Sequence, residues 1–221
     1  MHSVEILRKD VKNFTLRVKP NGKTELVVPL LATKKHIDKI LEKRKNWIDE
    51  KKEYFSKFKS VEKKLISGEN MKYLGKNYRL KVYETYKNER VILSRGKLNL
   101  YVKNKDDYNK KLNLIECWYK EKAMIHFLNT VNKYNKITQK DSINVRIRKM
   151  KTRWGSCNKT KKYINLNLNL IKKPKICIEY VVFHELAHLI YPNHSKDFYN
   201  YLSLYMSDWK EREKILNEAE I

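Results

Sequence analysis

The segment between Pro174 and Pro192 constrains the fold more than any other part of this chain. Proline opens helices at their first turn and cannot continue them, so a helix is predicted from about Lys175 to Ile190, stopped by Pro192. Val181, Val182 and Phe183 before its centre and Leu189 and Ile190 after it are apolar. Such flanks demand burial, and 221 residues are enough to build one sizeable core around the helix. A buried helix should hold no unsatisfied polar side chain. This one carries His184, Glu185 and His188 at its centre, and buried imidazoles need partners.

The spacing says what the partner is. Residues i and i+4 of a helix share a face one turn apart, so ring nitrogens of His184 and His188 can meet one Zn²⁺ at about 2.0–2.1 Å. Glu185 projects to the neighbouring sector, where its carboxylate reaches a water activated by the metal without ligating the metal itself. By chance the H-E-x-x-H pattern arises in about 1% of chains of this composition, so the apolar flanks, more than the spacing, set aside a solvated helix surface. A catalytic zinc needs three protein ligands and one open position. His194 can fold back from beyond the proline-terminated helix to be the third; its rival is Glu211 or Glu213 from the helices that follow. His188 and His194 are separated by five residues, as in H-E-x-x-H-x-x-G-x-x-H, but Tyr191 stands where that motif has glycine. Tyr191 either offers its hydroxyl to an oxyanion or packs. His2, His36 and His126 read as surface or packing residues.

Around this helix the pattern is α+β. Phe14, Leu16 and Val18 alternate, Asn21-Gly22 signals a hairpin, and Leu26 and Val28 alternate before Pro29. From about Lys34 to Phe58, apolar residues recur at helical spacing in one long amphipathic helix. Period two returns at Tyr78 to Val82, Val91 to Leu93 and Leu98 to Val102; a helix from about Asp106 to Tyr134 and a strand around Ile143, Val145 and Ile147 follow. Tyr163 to Leu170 reads as a strand with one polar face, and short helices are expected from Lys196 to Met206 and Asp208 to Ala219. The boundary falls near residue 105: a small β-rich N-terminal region with the amphipathic helix (1–105), then a helix-and-sheet region (106–221).

Charge and cysteine content bound the setting. Fifty Lys and Arg against 25 Asp and Glu give +25, a field that favours anionic partners. Only ten of the fifty are arginine, and Asn, Ile and Tyr are abundant, which fits a compositional drift that merely solvates the surface. The other reading is a nucleic-acid surface, with contacts from the helix Lys34 to Lys64, twelve basic residues against six acidic, and from Arg146 and Arg148. Cys117, Cys157 and Cys177 are widely spaced and odd in number, which argues against a disulfide framework. The first twenty residues break every apolar run with a charge, unlike a secretory signal. The longest apolar stretches, such as Leu26 to Ala32, are far short of the roughly 20 residues that span a bilayer. A cytoplasmic protein with no membrane association is the expectation.

Lys151-Thr152-Arg153-Trp154-Gly155-Ser156-Cys157, Ile164-Asn165-Leu166-Asn167, Tyr180 to Leu189 around the histidine motif, and Asn193-His194-Ser195-Lys196-Asp197-Phe198 together resemble the YgjP-like metallopeptidase family. Weaker agreement extends upstream through Trp47-Ile48, Ser67-Gly68-Glu69 and Tyr73-Leu74-Gly75-Lys76. The resemblance implies a zincin-like metallopeptidase core, distantly similar to SprT-like and WLM proteases associated with DNA-bound proteins. It implies that His184, His188 and His194 are zinc ligands and Glu185 the catalytic acid/base. One departure is Met206-Ser207-Asp208-Trp209, where the family would have a Pro-Asp-Tyr/Trp turn; this puts the packing of the last helix in question.

The expected activity is zinc-dependent hydrolysis of peptide bonds in a peptide or protein substrate, with a substrate strand pairing at an edge near Tyr163 to Leu170. Arg153 could hold an anionic or carbonyl oxygen near the metal, Gly155 permits close backbone approach, and Cys157 is either an inhibitory fourth ligand or an inert thiol. Two rivals stand beside this. A nucleotide pyrophosphatase or phosphohydrolase would need Arg146, Arg148, Lys151 and Arg153 to converge on the metal. A nucleic-acid-associated module with structural zinc would leave Glu185 without a ligand role and close all four metal positions.

Overall fold

The structure, a computed structural model, describes residues 4–19, 22–56, 63–138, 143–151 and 153–218. Two compact units divide the chain, one within Met1–Glu62 and the other Lys63–Glu218.

In the first unit, β1 (Val4–Lys9) runs parallel to β3 (Thr24–Pro29), and β2 (Thr15–Val18) pairs with the other side of β3 in antiparallel register, Leu16 opposite Leu26. Two helices follow, α1 (Lys34–Lys43) and α2 (Lys45–Ser56). Thr33 caps α1, its hydroxyl accepting from the His36 amide. Leu26, Val28 and Ile37 form a small core. The single helix expected over this stretch is therefore two, broken at Arg44 (φ −104°, ψ 7°). No proline or glycine marks the break, so hydrophobic spacing alone runs straight through it. Asn21 of the expected hairpin, His2 and Phe58 lie outside the described residues.

The second unit begins with a four-stranded sheet: β4 (Asn70–Tyr73), β5 (Lys76–Glu84), β6 (Arg90–Ser94) and β7 (Lys97–Val102), in the order β4-β5-β7-β6. The sequence reading placed this sheet before a boundary near residue 105. It falls instead in the second unit, because its inward residues Met71, Tyr73, Leu80, Leu98 and Leu100 share one core with the long helix α3 (Tyr108–Thr138) and the elements beyond. Its hairpin at Leu74 and Gly75, both with positive φ, docks on the next layer: the two amides donate to the Ile171 and Lys172 carbonyls. A Cβ at Gly75 would lie 2.9 Å from the Pro174 ring, so glycine is required there.

A three-stranded sheet carries the second layer: β8 (Asn144–Arg148), β9 (Gly155–Asn158) and β10 (Tyr163–Asn167), in the order β8-β10-β9. β10 is shorter than its alternation suggests. The Asn167 side chain accepts from the Asn169 amide and turns Leu168–Lys172 into a 3₁₀ helix. β10 is also central, parallel to β8 and antiparallel to β9, so it offers no edge; β8 and β9 are the outer strands. Next come α4 (Lys175–Ala187), α5 (Lys196–Tyr205) and α6 (Trp209–Asn217). α4 is the central buried helix of the prediction, with Cys177, Ile178, Val182, Phe183, Leu186 and Ala187 at 2% exposure or less. It ends at Ala187, ahead of Pro192, because the amides of Ile190 and Tyr191 both fold back to the Ala187 carbonyl.

The last helix is firmly held despite the departure at residues 206–209. Met206 and Trp209 are buried, and the Trp209 indole donates to the Ser203 hydroxyl. Arg212 bridges Asp208 of its own turn and Glu179 of α4. The architecture is mixed α+β, with six helices and three small sheets among the described residues.

Candidate active site

His184 projects from the last turn of α4 and His188 from its C-cap, and the tight turn after Ala187 returns the chain so that His194 meets them. One ring nitrogen from each of the three lies within 4.8 Å of the others. Nε2 of His184 is 3.0 Å from Nε2 of His194. Nδ1 of His188 is 3.1 Å from the Tyr191 carbonyl; a carbonyl can only accept, so Nδ1 carries the hydrogen and Nε2 keeps its lone pair. Burial, reinforced by the neighbouring His188 and His194, pushes the His184 pKa down to about 3. Burial lowers His188 as well. Three imidazoles whose ring nitrogens converge suit a divalent cation of the borderline class that favours nitrogen, and the donor set fits zinc.

Phe198 supports all three rings. Fully buried at the first turn of α5, it lies 5.0, 4.7 and 4.9 Å from His184, His188 and His194 between centroids. Ser195 caps that helix by accepting from the Phe198 amide. The sequence reading gave Phe198 no role. Its signals were its place four residues after His194, one helical turn on, and its presence in the stretch from Asn193 that carries the family resemblance.

Glu185 faces β9. It is 6% exposed, and burial raises its carboxyl to about 7, against an opposing pull from Arg153. A Cβ on Gly155 would fall 2.6 Å from its Oε1 and 2.7 Å from its Cγ, so the glycine makes room for the carboxylate. Asn167 positions the loop that leads into β9: its side-chain amide donates to the carbonyls of Met150 and Arg153, and its backbone amide donates to that of Trp154. Asn165 donates to the Ser156 hydroxyl. The polar face of β10, legible as alternation, thus shapes the wall of the site.

A cleft of about 460 Å³ joins these groups, with Arg153, Cys157, Lys159 and Pro192 around the histidines and Glu185. Cys157 lines it but stands outside the three-nitrogen cluster among the described residues. Burial, then the nearby Glu185, pushes its thiol up to about 11, which keeps it protonated and a poor ligand. Tyr191 packs its ring on Tyr201 at 5.6 Å and contributes its carbonyl to His188. Glu213 accepts from the Tyr180 hydroxyl at 3.0 Å, and neither it nor Glu211 joins the cluster. His126 contacts the Tyr73 hydroxyl and His36 packs on Phe14. Of the four cations a phosphate site would gather, Arg153 alone lines the cleft; Arg146 stacks over Tyr163 at 3.9 Å. A larger hollow of about 620 Å³ in the first unit, walled by Phe14, Leu16, Leu26, Ile40 and Trp47, contains no histidine, cysteine or carboxylate.

A model of the YgjP-like metallopeptidase domain matches residues 12–219. The chain belongs to the YgjP-like family. That family assigns it to the metal-dependent peptidases, and the three-histidine cluster is where a divalent metal fits. Among solved structures, the metallopeptidase zymogen abylysin of Pyrococcus abyssi is 22% identical, with a TM-score of 0.38 over 41% of this chain and 90% of that one. The zymogen jannalysin of Methanocaldococcus jannaschii is 26% identical, with a TM-score of 0.38 over 41% and 86%. No curated protein matches. No helix among the described residues is long and apolar enough to cross a membrane.

Proposed function

We propose that the chain is a zinc-dependent peptidase in which His184, His188 and His194 hold the metal and Glu185 moves the proton of the attacking water. The observation that carries this reading is the meeting, in one cleft, of three imidazole nitrogens within 4.8 Å and the buried Glu185 one residue along the same helix. When bound, zinc polarises the scissile carbonyl and lowers the pKa of water towards about 7. The remaining work belongs to the chain. The Tyr191 carbonyl fixes the tautomer of His188. Glu185, whose surroundings favour taking up a proton, accepts one from the water and returns it to the leaving amine. Arg153 lines the cleft, and its role in this reading is to hold the oxygen on which negative charge develops. β9 lends its outer edge to the main chain of an extended substrate. The three cysteines are unpaired, which suits a reducing compartment such as the cytoplasm.

Metal analysis of alanine variants tests the ligand set. Wild type should bind one zinc, and His184→Ala, His188→Ala and His194→Ala should each lose most of it. Full retention by His194→Ala would move the third position elsewhere.

A further inference from the structure

A second hollow, of about 170 Å³, opens beside the cleft and shares Gly155, His184 and Glu185 with it. Trp154, Val181 and Leu216 give it apolar walls, and Tyr180 and Glu213 give it a polar end. Glu213 Oε1 accepts from the Tyr180 hydroxyl. Among the described residues no other hydrogen bond and no cation reaches this carboxylate. The chain as a whole carries 50 cationic side chains and a net charge of +25. Elsewhere in the same layer the half-buried Glu179 holds both Lys133 and Arg212. A carboxylate held by one neutral hydroxyl keeps acceptor capacity to spare, and a cation arriving from outside would complete the site.

We infer that this hollow is a specificity subsite for a cationic side chain, lysine or arginine, on a substrate residue adjoining the scissile bond. The walls shared with the cleft set the position, since Glu185 and His184 flank the bond to be cut. Trp154, Val181 and Leu216 suit the aliphatic stem of such a side chain, which prefers apolar cover while its charged head seeks a polar end. Glu213 receives the head. The sequence placed Glu213 as a rival metal ligand; the fold turns it to Tyr180, where it selects substrate. The inference rests on the peptidase reading and deepens it.

The test uses capped alanine hexapeptides carrying one lysine, one norleucine or one glutamate at each position in turn, with the zinc-loaded full chain. Norleucine keeps the aliphatic stem and removes the charge. Wild type should show kcat/KM at least about tenfold higher for lysine than for norleucine at one position next to the cleaved bond, a difference of about 1.4 kcal/mol. In Glu213→Gln, with an unchanged melting temperature, that ratio should fall to within about twofold of one. In Glu213→Lys the preference should turn towards glutamate. Cleavage by wild type without a lysine preference, or a preference that survives Glu213→Gln, overturns the subsite and leaves the peptidase reading standing. Failure of wild type to cleave any of the peptides overturns both.

Discussion

Gly155 illustrates how a residue without a side chain governs one that has chemistry. Its φ is ordinary, so the requirement is purely one of space: the Glu185 carboxylate fills the place of the missing Cβ. Gly155→Ala should displace that carboxylate by a substantial fraction of an ångström and lower peptide hydrolysis by about a hundredfold, because misplacement on this scale costs that much. Zinc content should stay at the wild-type level, since the three atoms nearest the new methyl group all belong to Glu185 and none to an imidazole. Metal analysis beside a peptidase assay checks both halves; an active alanine variant would contradict the packing argument. At this scale the sequence was legible where chemistry follows helical spacing, as with His184, Glu185 and His188. It allowed a close approach at Gly155 without saying to which residue, and it gave Phe198 and Asn167 no supporting role, because such roles come from contacts across separate elements that no local period encodes.

Among the elements, α4 is locked in place by a polar clasp as well as by its apolar core. Glu179 on α4 accepts from Lys133 of α3 and from Arg212 of α6, at 2.8 Å each. Burial alone would raise its carboxyl, but the hydrogen bonds from Lys133 and Arg212 outweigh that and hold it below the usual carboxylate range. A folded pKa below the unfolded one gives stability that is present above the unfolded value of about 4.3 and lost as pH falls through the folded one. Glu179→Gln should therefore cost about 1–2 kcal/mol at neutral pH, allowing for partial solvent screening. The difference from wild type should shrink in acid, once the wild-type carboxyl is itself protonated. Urea unfolding at neutral pH and at about pH 3 measures both; a gap that persists unchanged in acid would contradict the assignment. Most elements were legible from periodicity, including α4 to α6 and β5 to β7 of the larger sheet; β1 and β4 were not read as strands. The ends of β10 and the break between α1 and α2 were not, because a side-chain cap at Asn167 and a local dihedral change at Arg44 leave the hydrophobic pattern intact.

For the whole molecule the net charge of +25 is the feature that composition reveals and topology does not explain. A count of lysines says nothing of where they gather. If the basic surface engages duplex DNA, log–log plots of affinity against salt should slope by about −0.9 for each phosphate contacted, with a steep loss between about 50 and 200 mM. Arg146 and Arg148 on β8 and the lysines of α1 and α2 are the residues to neutralise; a flat or undetectable response would mean that the charge only solvates the surface. The boundary was misplaced at this same scale, since a sheet's alternation does not tell which helix will cover it, and here α3 does. The account as a whole depends on the three histidines holding a metal that Glu185 puts to use. The most direct measurement is zinc content and peptide hydrolysis, with and without chelator, in wild type and Glu185→Gln. The amide keeps the shape of the carboxylate but accepts no proton at neutral pH, so both proteins should carry one zinc and only the zinc-loaded wild type should cut peptide. Near-wild-type turnover in Glu185→Gln, or hydrolysis that survives removal of the metal, would contradict the account.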